Sequence, residues 1–292
     1  MDYTELAARV FALDMRYSEL LVQSIGRSLL GRDLLCLSFG QGERTLLYVG
    51  AHHGMEHLTA DLLLSFAEEL LGAGRETRVG EARAAYLLST RRFYLVPMLN
   101  PDGVMLSVRG RAGDTLLAER LIRMNGGRRD FRRWQANARG VDLNHNYDAG
   151  FWEYKRLEGR LGIEGGGPTR YAGEYPESEP ETAALARLVR TLAPELILTL
   201  HTQGEEIYYT SGGFSLPRQR GVAEAMARLS GYRTAIPEGA AAYGGLTDWA
   251  VGVLGIPSYT IECGRGENPL PASALTGMRL ALRPLLWSAP LL

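Results

Sequence analysis

Histidine is the residue of this chain best suited to bind a transition metal or to move a proton near neutral pH. The five histidines are confined to the stretches AHHGMEH, LNHNY and LTLHTQGEE, as His52, His53, His57, His145 and His201. His53 and Glu56 lie three residues apart, where a buried strand is predicted to end and a helix to begin. At this spacing an imidazole and a first-turn carboxylate can converge on one ion.

Two more polar groups end predicted buried strands: His201 follows ELILTL, and Glu262 follows SYTI. Open α/β sheets bind ligands at the carboxyl ends of their strands, so we expect these groups to meet His53 and Glu56 there. Two His and one Glu, with a further carboxylate nearby, make up the ligand set of a catalytic zinc with an open position for water. We therefore predict one Zn²⁺ per chain. Taken singly, Glu56 could instead cap a helix, and Glu262 could be an ordinary strand-end residue.

The elements that must position these groups alternate along the chain. Short apolar runs predict strands, namely LLCLSFG, TLLYVGA, FYLVPML, ELILTLH and IPSYTIEC, and the turn GQGER predicts that the first two form a hairpin. Longer segments with helical periodicity separate the later strands, and Ser178 with Glu181 has the spacing of a capping box. This alternation predicts one α/β domain over residues 1–292, a three-layer sandwich with a mixed, largely parallel central sheet flanked by helices.

Two stretches lack regular periodicity, roughly residues 107 to 140 and the Gly-rich run GRLGIEGGGPTRYAGEYPES. Irregular segments of this length inside a compact domain are usually functional, so we expect them to border the site.

Composition excludes several function classes. The net charge of −1 argues against nucleic-acid binding, and no apolar run approaches the ~20 residues of a membrane span. The N-terminal MDYTELAARVFALDMR lacks the features of a signal peptide, so we expect a cytoplasmic protein. Cys36 and Cys263 lie in strand-like segments and are predicted to be reduced core thiols. Lys155 is the only lysine, so the abundance of Arg reflects a general bias and carries little functional information.

The order H-x-x-E, G-V-D-x-N-x-N, a strand ending in His, and T-I-E near the C-terminus resembles the zinc carboxypeptidase (carboxypeptidase A-like) family. The resemblance runs from SIGRSLLGRDLLCLSFG through GENPLP, nearly the whole chain. Within that family, LHTQGEEIYY and GRGENPLP most resemble the bacterial γ-D-glutamyl-diamino acid peptidases, which cut cell-wall peptides.

The resemblance implies a role for each matching residue. Zinc would be held by His53, Glu56 and His201. Glu262 would be the general base that activates water and then protonates the leaving amine. Asp142 matches the acid that hydrogen-bonds the first His ligand and fixes its tautomer. Alternatively, Asp142 only forms a turn.

The chain departs from the family pattern in the substrate pocket. Typical members hold a peptide's C-terminal carboxylate with Asn-Arg, whereas here Asn144 is followed by His145. The guanidinium of Arg forms two parallel hydrogen bonds and is always charged, whereas an imidazole offers a single donor whose charge depends on pH. We interpret this as a pocket for another group, such as a diaminopimelate end or a continuing peptide; alternatively, His145 only packs.

Two further departures concern the residue that stabilises the oxyanion formed during hydrolysis and the flexible tyrosine that covers the substrate pocket. The position expected to hold an oxyanion-stabilising Arg is Gln135, so Arg133 or Arg139 could take that role. Asp248 matches the family 14 residues before Glu262, which puts the usual flexible tyrosine near Ala240; Tyr243 on a Gly-containing loop could replace it.

Three functions remain open from the sequence. The first is a zinc peptidase of muropeptides, acting on the bond between γ-D-glutamate and a diamino acid such as meso-diaminopimelate. The second is a zinc amidohydrolase or deacylase of a small N-acyl amino acid. The third is a non-catalytic binding protein on the same fold, which the presence of all the zinc and base residues disfavours.

Overall fold

A computed structural model describes residues 1–73, 78–111 and 116–292. Its strands are β1 Leu21–Arg27, β2 Asp33–Phe39, β3 Arg44–Val49, β4 Arg91–Val96, β5 Leu196–His201, β6 Glu206–Tyr208, β7 Arg233–Ala235 and β8 Ser258–Glu262. Its α-helices are α1 Tyr3–Arg16, α2 Leu58–Gly72, α3 Arg78–Thr90, α4 Pro101–Arg109, α5 Leu116–Met124, α6 Phe151–Arg160, α7 Pro180–Leu192, α8 Gln219–Ser230, α9 Leu246–Trp249 and α10 Ala274–Ser288.

The strands form one mixed sheet in the order β1-β2-β4-β3-β5-β8-β6-β7. Its centre is parallel, because β4, β3, β5 and β8 all run in the same direction. The pairs β1–β2, β2–β4 and β6–β8 are antiparallel. In the parallel centre β3, β5 and β8 are neighbours, so their carboxyl ends meet at one edge. This edge carries the residues that the sequence predicted to converge.

Helices cover both faces of the sheet, as predicted for a three-layer sandwich. Alternate residues of β3 show the division: Tyr48 packs in a core that includes α1, α2, α8 and α10, whereas Leu47 packs in a second core with α7 and α9. All these contacts are buried. The predicted fold class, an α/β sandwich around a mixed and largely parallel sheet, is therefore confirmed.

The predicted hairpin of β2 and β3 is wrong, because β4 lies between them in the sheet. The connecting turn crosses the start of β4 instead, and Gly42 donates a backbone hydrogen bond to the carbonyl of Arg91. A Cβ at Gly42 would come within 2.0 Å of the Thr90 carbonyl carbon, so only glycine allows this close crossing.

Two other local predictions fail for tertiary reasons. Glu179, rather than Ser178, precedes α7, and its side chain makes no capping hydrogen bond. Glu181 is fully buried and accepts from the amide of Leu29 and from Asn137, so it is not part of a capping box. The stretch 107–140, expected to be irregular, contains the helix α5.

None of the helices in the described ranges combines the length and the apolarity needed to cross a lipid bilayer.

Candidate metal centre

The segment from β3 to α2 carries the H-x-x-E motif in a tight turn. After Val49 the chain passes through His52 and His53 into a single 3₁₀ turn, Gly54–Glu56, before α2 begins. A Cβ at Gly54 would lie 2.4 Å from the backbone of Gly103, so this turn packs directly on the start of α4. The close packing fixes the direction in which the His53 and Glu56 side chains leave the backbone.

His53, Glu56 and His201 converge on one point. Nδ1 of His53 lies 2.9 Å from one Glu56 carboxylate oxygen, and Nδ1 of His201 lies 3.0 Å from the other. The two Nδ1 atoms are 3.3 Å apart. All three residues are buried, and their candidate ligand atoms lie within 4.8 Å of one another. The arrangement is the His₂Glu donor set of a catalytic zinc, and it fits the ion.

Charge favours a cation at this point. Burial alone would lower the pKa of His53, but Glu56 and Asp142 raise it well above its usual range. Burial would raise the pKa of Glu56, but His53 and His201 lower it to about 2. Burial lowers the pKa of His201. The negative charges of Glu56 and Asp142 favour positive charge at this point, supplied by a proton on His53 in the metal-free site and by a divalent metal when one is bound.

Asp142 lies on the far side of His53 from this point. Its Oδ1 is 3.0 Å from Nε2 of His53, which leaves Nδ1 to face Glu56 and His201. The other oxygen, Oδ2, accepts hydrogen bonds from the Gln135 side chain and the Arg170 amide. His53 therefore has its ring orientation fixed by a fully buried, hydrogen-bonded carboxylate.

Gln135 thus has a contact that the sequence did not suggest. Its Nε2 donates to Asp142, and its Oε1 accepts from Thr169. Gln135, at the position expected to stabilise the oxyanion, instead hydrogen-bonds to Asp142, the carboxylate that contacts His53. Nothing in the local sequence predicts this, because Thr169 lies 34 positions away in the Gly-rich segment.

Glu262 ends β8 directly opposite His201 in the parallel pair of β5 and β8. Its carboxylate accepts no hydrogen bond from any residue that the structure describes. Burial, and next the charge of Glu56, raise the pKa of Glu262 well above its usual range. Across β8, Glu206 of β6 is its antiparallel partner. Glu206 accepts a hydrogen bond from the Tyr208 hydroxyl at 2.7 Å and pairs with Arg233.

The LNHNY stretch forms a 3₁₀ turn, Leu143–His145. Asn144 accepts a hydrogen bond from the amide of Leu246 through Oδ1, and its Nδ2 group has no hydrogen-bond partner among the residues that the structure describes. His145 stacks on the ring of Tyr154, with centroids 4.0 Å apart and planes at 13°. Its Nδ1 donates to the carbonyl of Tyr243 at 2.8 Å. Only Nε2 of this imidazole is then left for another partner.

Tyr243 is anchored at this point. Its neighbour Gly244 donates to the carbonyl of Ala149 at 2.7 Å and accepts from the amide of Tyr147 at 3.1 Å. The Tyr243 ring packs beside Gly150, where a Cβ would come within 2.8 Å of Cδ1. The loop expected to act as a lid is held by these contacts against the segment that follows LNHNY.

The two candidate oxyanion arginines are engaged elsewhere. Arg133 is exposed and pairs with Glu267 at 2.5 Å, and Arg139 pairs with the buried Glu179 at 3.0 Å. Within the described chain, neither guanidinium hydrogen-bonds to His53, Glu56 or His201.

The remaining histidines differ in their surroundings. His57 contacts the amino group of Met1, 3.2 Å away, and is not part of the metal centre. His52 is fully buried and stacks on the ring of His201, with centroids 5.2 Å apart and planes at 28°. The sequence grouped His52 with the other histidines but assigned it no role, and its position behind His201 becomes visible only in three dimensions.

Comparison with known proteins agrees with this geometry. The sequence profile described as zinc carboxypeptidase matches residues 8–279. Gamma-D-glutamyl-L-diamino acid endopeptidase 1 of Lysinibacillus sphaericus is 33% identical over 273 residues, covering 93% of this chain and 67% of that protein.

Solved structures share the fold. Carboxypeptidase A from Helicoverpa armigera superposes with a TM-score of 0.72 at 18% identity, over 100% of this chain and 72% of that one. The murein-tripeptide amidase MpaA from Escherichia coli O157 gives a TM-score of 0.54 at 23% identity, over 90% of this chain and 91% of that one. At these identities the likeness extends to the fold alone.

Proposed function

Because the chain belongs to the zinc carboxypeptidase family, we propose that this zinc peptidase hydrolyses the amide bond between γ-D-glutamate and a diamino acid, such as meso-diaminopimelate, in cell-wall-derived peptides. The family and the zinc ligands His53, Glu56 and His201 establish a peptidase of peptide substrates. The substrate named here is the proposal. It is supported by the diamino acid endopeptidase relative and by the charges around Glu262.

His53, Glu56 and His201 would hold the zinc, which would supply Lewis-acid chemistry to the amide carbonyl and to the attacking water. The other steps fall to residues of this chain. Glu262 takes a proton from the attacking water and delivers it to the nitrogen of the leaving amine as the amide bond breaks. Its carboxylate is suited to this because no described residue hydrogen-bonds it. Asp142, braced by Gln135, keeps His53 in the tautomer that presents Nδ1.

The observation that carries the substrate proposal is the position of Glu206. It is the antiparallel partner of Glu262, so both side chains project from the same face of the sheet, with Cβ atoms roughly 5 Å apart. A Cβ built on Gly204 would lie 3.7 Å from both Cδ of Glu206 and Cβ of Glu262. A second carboxylate therefore borders the proposed base.

The charge of Glu206 favours a cationic substrate group. The Tyr208 hydroxyl, and then Arg233, lower the pKa of Glu206, which keeps it ionised. Arg233 is largely exposed, so its ion pair is weak and leaves the carboxylate able to bind an ammonium. On the other side, the usual carboxylate-binding Arg is replaced by His145. Both features suit the distal ammonium of a diamino acid better than an uncharged side chain.

Asn144 and His145 complete the proposed pocket. Nδ2 of Asn144, which has no partner within the described ranges, can donate to a substrate oxygen, and Nε2 of His145 offers one further polar contact. Arg133, Arg139 and Tyr243 remain candidates for substrate contacts only if they leave their present partners. The proposal therefore assigns recognition first to Asn144, His145 and Glu206.

The test uses zinc-loaded protein and the tripeptide L-alanyl-γ-D-glutamyl-meso-diaminopimelate, with products identified by mass. Release of free diaminopimelate is expected. Matched peptides carry an α-linked D-glutamate or norleucine in place of the diamino acid, and both should be cleaved far more slowly. Equal cleavage of all three peptides would contradict the substrate proposal, and exclusive cleavage of small N-acyl amino acids would point to a deacylase.

A cytoplasmic location, in the recycling of wall fragments, is part of the proposal. Cys36 and Cys263 are both buried free thiols, as is usual in a reducing compartment. Fractionation of cells producing the protein, with detection in the cytoplasmic or the exported fraction, tests this point.

A further inference from the structure

The two histidine ligands of the zinc centre are held in different ways. His53 has a buried carboxylate behind it, because its Nε2 hydrogen-bonds to Asp142. For His201, no protein group in the described part of the chain hydrogen-bonds to Nε2, which is buried. A ligating histidine is usually oriented by a hydrogen bond to its second ring nitrogen. The orientation of His201 therefore needs another source.

Ring packing provides it. The imidazole of His52 stacks on His201 with a centroid separation of 5.2 Å and an interplanar angle of 28°. His53 meets His201 edge-on, with centroids 4.8 Å apart and planes at 63°. Contacts of these kinds restrict rotation of the His201 ring about its side-chain bonds, because any turn would drive the ring into one of its neighbours.

His52 is itself fixed from three directions. Its Nε2 hydrogen-bonds with the hydroxyl of Tyr147 at 3.0 Å, and its Nδ1 lies 3.3 Å from the hydroxyl of Thr199. Its carbonyl accepts from the side chain of Asn100 at 3.0 Å. The residue is fully buried. Thr199 is on the same strand as His201, two residues earlier, so its side chain projects from the same face of β5.

We propose that His52 is a positioning residue for the zinc ligand His201, and that the stacked ring, rather than a hydrogen bond, sets the angle at which His201 presents Nδ1 to the metal. Hydrogen bonds to the Tyr147 and Thr199 hydroxyls add to this packing, but the fully buried His52 ring is expected to keep its stacked position when one of them is lost. This inference concerns metal binding alone and does not depend on which peptide the enzyme cleaves.

The test compares two substitutions that remove the same hydrogen bonds but differ in the ring. His52→Phe keeps an aromatic ring against His201, and His52→Leu does not. Zinc dissociation constants are measured on metal-free protein by competition with a chelator. The Leu variant is expected to bind zinc about 10- to 100-fold more weakly, as for other residues behind a ligand, and the Phe variant to stay within about threefold of the original. His57→Asn, in the same segment but outside the metal centre, is the control and should bind zinc normally.

A spectroscopic measurement separates positioning from a general loss of stability. With cobalt in place of zinc, the visible absorption bands should change in the Leu variant and stay unchanged in the Phe variant. Tyr147→Phe, which retains the stacked ring, should keep both the bands and the zinc affinity, and it supplies a result even if the Leu variant does not fold. Equal zinc affinity in the Leu and Phe variants, or a tenfold loss in Tyr147→Phe, would overturn the proposal.

Discussion

Glu206 of β6 lies directly opposite Glu262 of β8, and the antiparallel register points both carboxylates from the same face of the sheet. The charge of Glu206 is among the causes that raise the pKa of Glu262, after burial and the charge of Glu56, so ionising both carboxylates at once is unfavourable in this arrangement. A cationic substrate group next to the two carboxylates, as proposed above, would offset this repulsion. Under the proposed function, this pair places the general base next to a carboxylate that binds the substrate ammonium.

The first prediction concerns this pair. Glu206→Gln removes the charge and keeps the shape, so kcat/KM for the diaminopimelate tripeptide should fall about 10- to 100-fold, the effect of losing a charge-assisted hydrogen bond of about 1.5–3 kcal/mol. Cleavage of the norleucine analogue should change little. Glu205→Gln, next in the chain and paired with Arg265, is the matched control. An equal fall in kcat/KM for both peptides would show that Glu206 does not bind the ammonium group.

The second prediction concerns the acid behind His53. Asp142→Asn keeps a hydrogen-bonding group but loses the charge that favours the Nδ1-presenting tautomer, so zinc should bind about 10- to 100-fold more weakly. Isothermal titration of the metal-free protein measures this affinity. Asp130→Asn, an exposed site paired with Arg132, should leave it unchanged. Unaltered zinc binding in the Asp142 variant would remove the role assigned to that residue.

The third prediction concerns His145. Introducing the guanidinium that typical family members carry, by His145→Arg, should raise the turnover of dipeptides with a free C-terminal carboxylate relative to the diaminopimelate tripeptide. The ratio of the two kcat/KM values is the readout. His145→Gln, which adds no charge, is the control. An unchanged ratio in the Arg variant would mean that His145 only packs against Tyr154.

The fourth prediction concerns pH and stability. Burial raises the pKa of Glu181 from 4.5 to about 7, so the folded state keeps a proton that the unfolded chain loses. The buried, protonated Glu181 contributes to the free energy of unfolding fully below the pKa of about 4.5 that it has in the unfolded chain. This contribution is lost as the pH rises through the folded-state pKa, which lowers the free energy of unfolding by at most about 3 kcal/mol. Asn137 and the amide of Leu29 lie against this carboxyl, and Asp102 is the nearby charge that raises its pKa further.

Urea unfolding of the metal-free protein between pH 5 and pH 8 tests this point. Glu181→Gln should lose less stability over that range than the original chain, even if it is less stable at pH 5. The exposed Glu195→Gln, where the carboxylate pairs with Arg44, should follow the original chain. Parallel stability curves for the Glu181 variant and the original would contradict the raised pKa.

The sequence predicted the metal centre because its information is local. His53 and Glu56 share one turn, and His201 ends a buried strand, so spacing and strand polarity suffice to bring them together. The position of β4 between β2 and β3 could not be read in this way, because a short turn normally indicates a hairpin and the crossing depends on contacts with Thr90 and Arg91. Sequence order alone predicts that consecutive strands pair with each other.

The missed features of the site are all long-range. Gln135 contacts Asp142 only because the Gly-rich segment brings Thr169 to it, and Glu206 meets Glu262 only because β6 pairs with β8 in one register. His52 was visible as a histidine, but its stacking on His201 depends on the approach of β3 to β5. Such contacts require the strand order and register, which periodicity does not define.

The most direct test of the central claim is product analysis by mass after incubating zinc-loaded Glu262→Gln and the original protein with L-alanyl-γ-D-glutamyl-meso-diaminopimelate. The variant should bind zinc with the original stoichiometry, because His53, Glu56 and His201 are intact, and should release diaminopimelate at least about 1,000-fold more slowly, the upper part of the range for loss of a general acid–base group. Release of diaminopimelate by the Gln variant at the original rate would contradict the account.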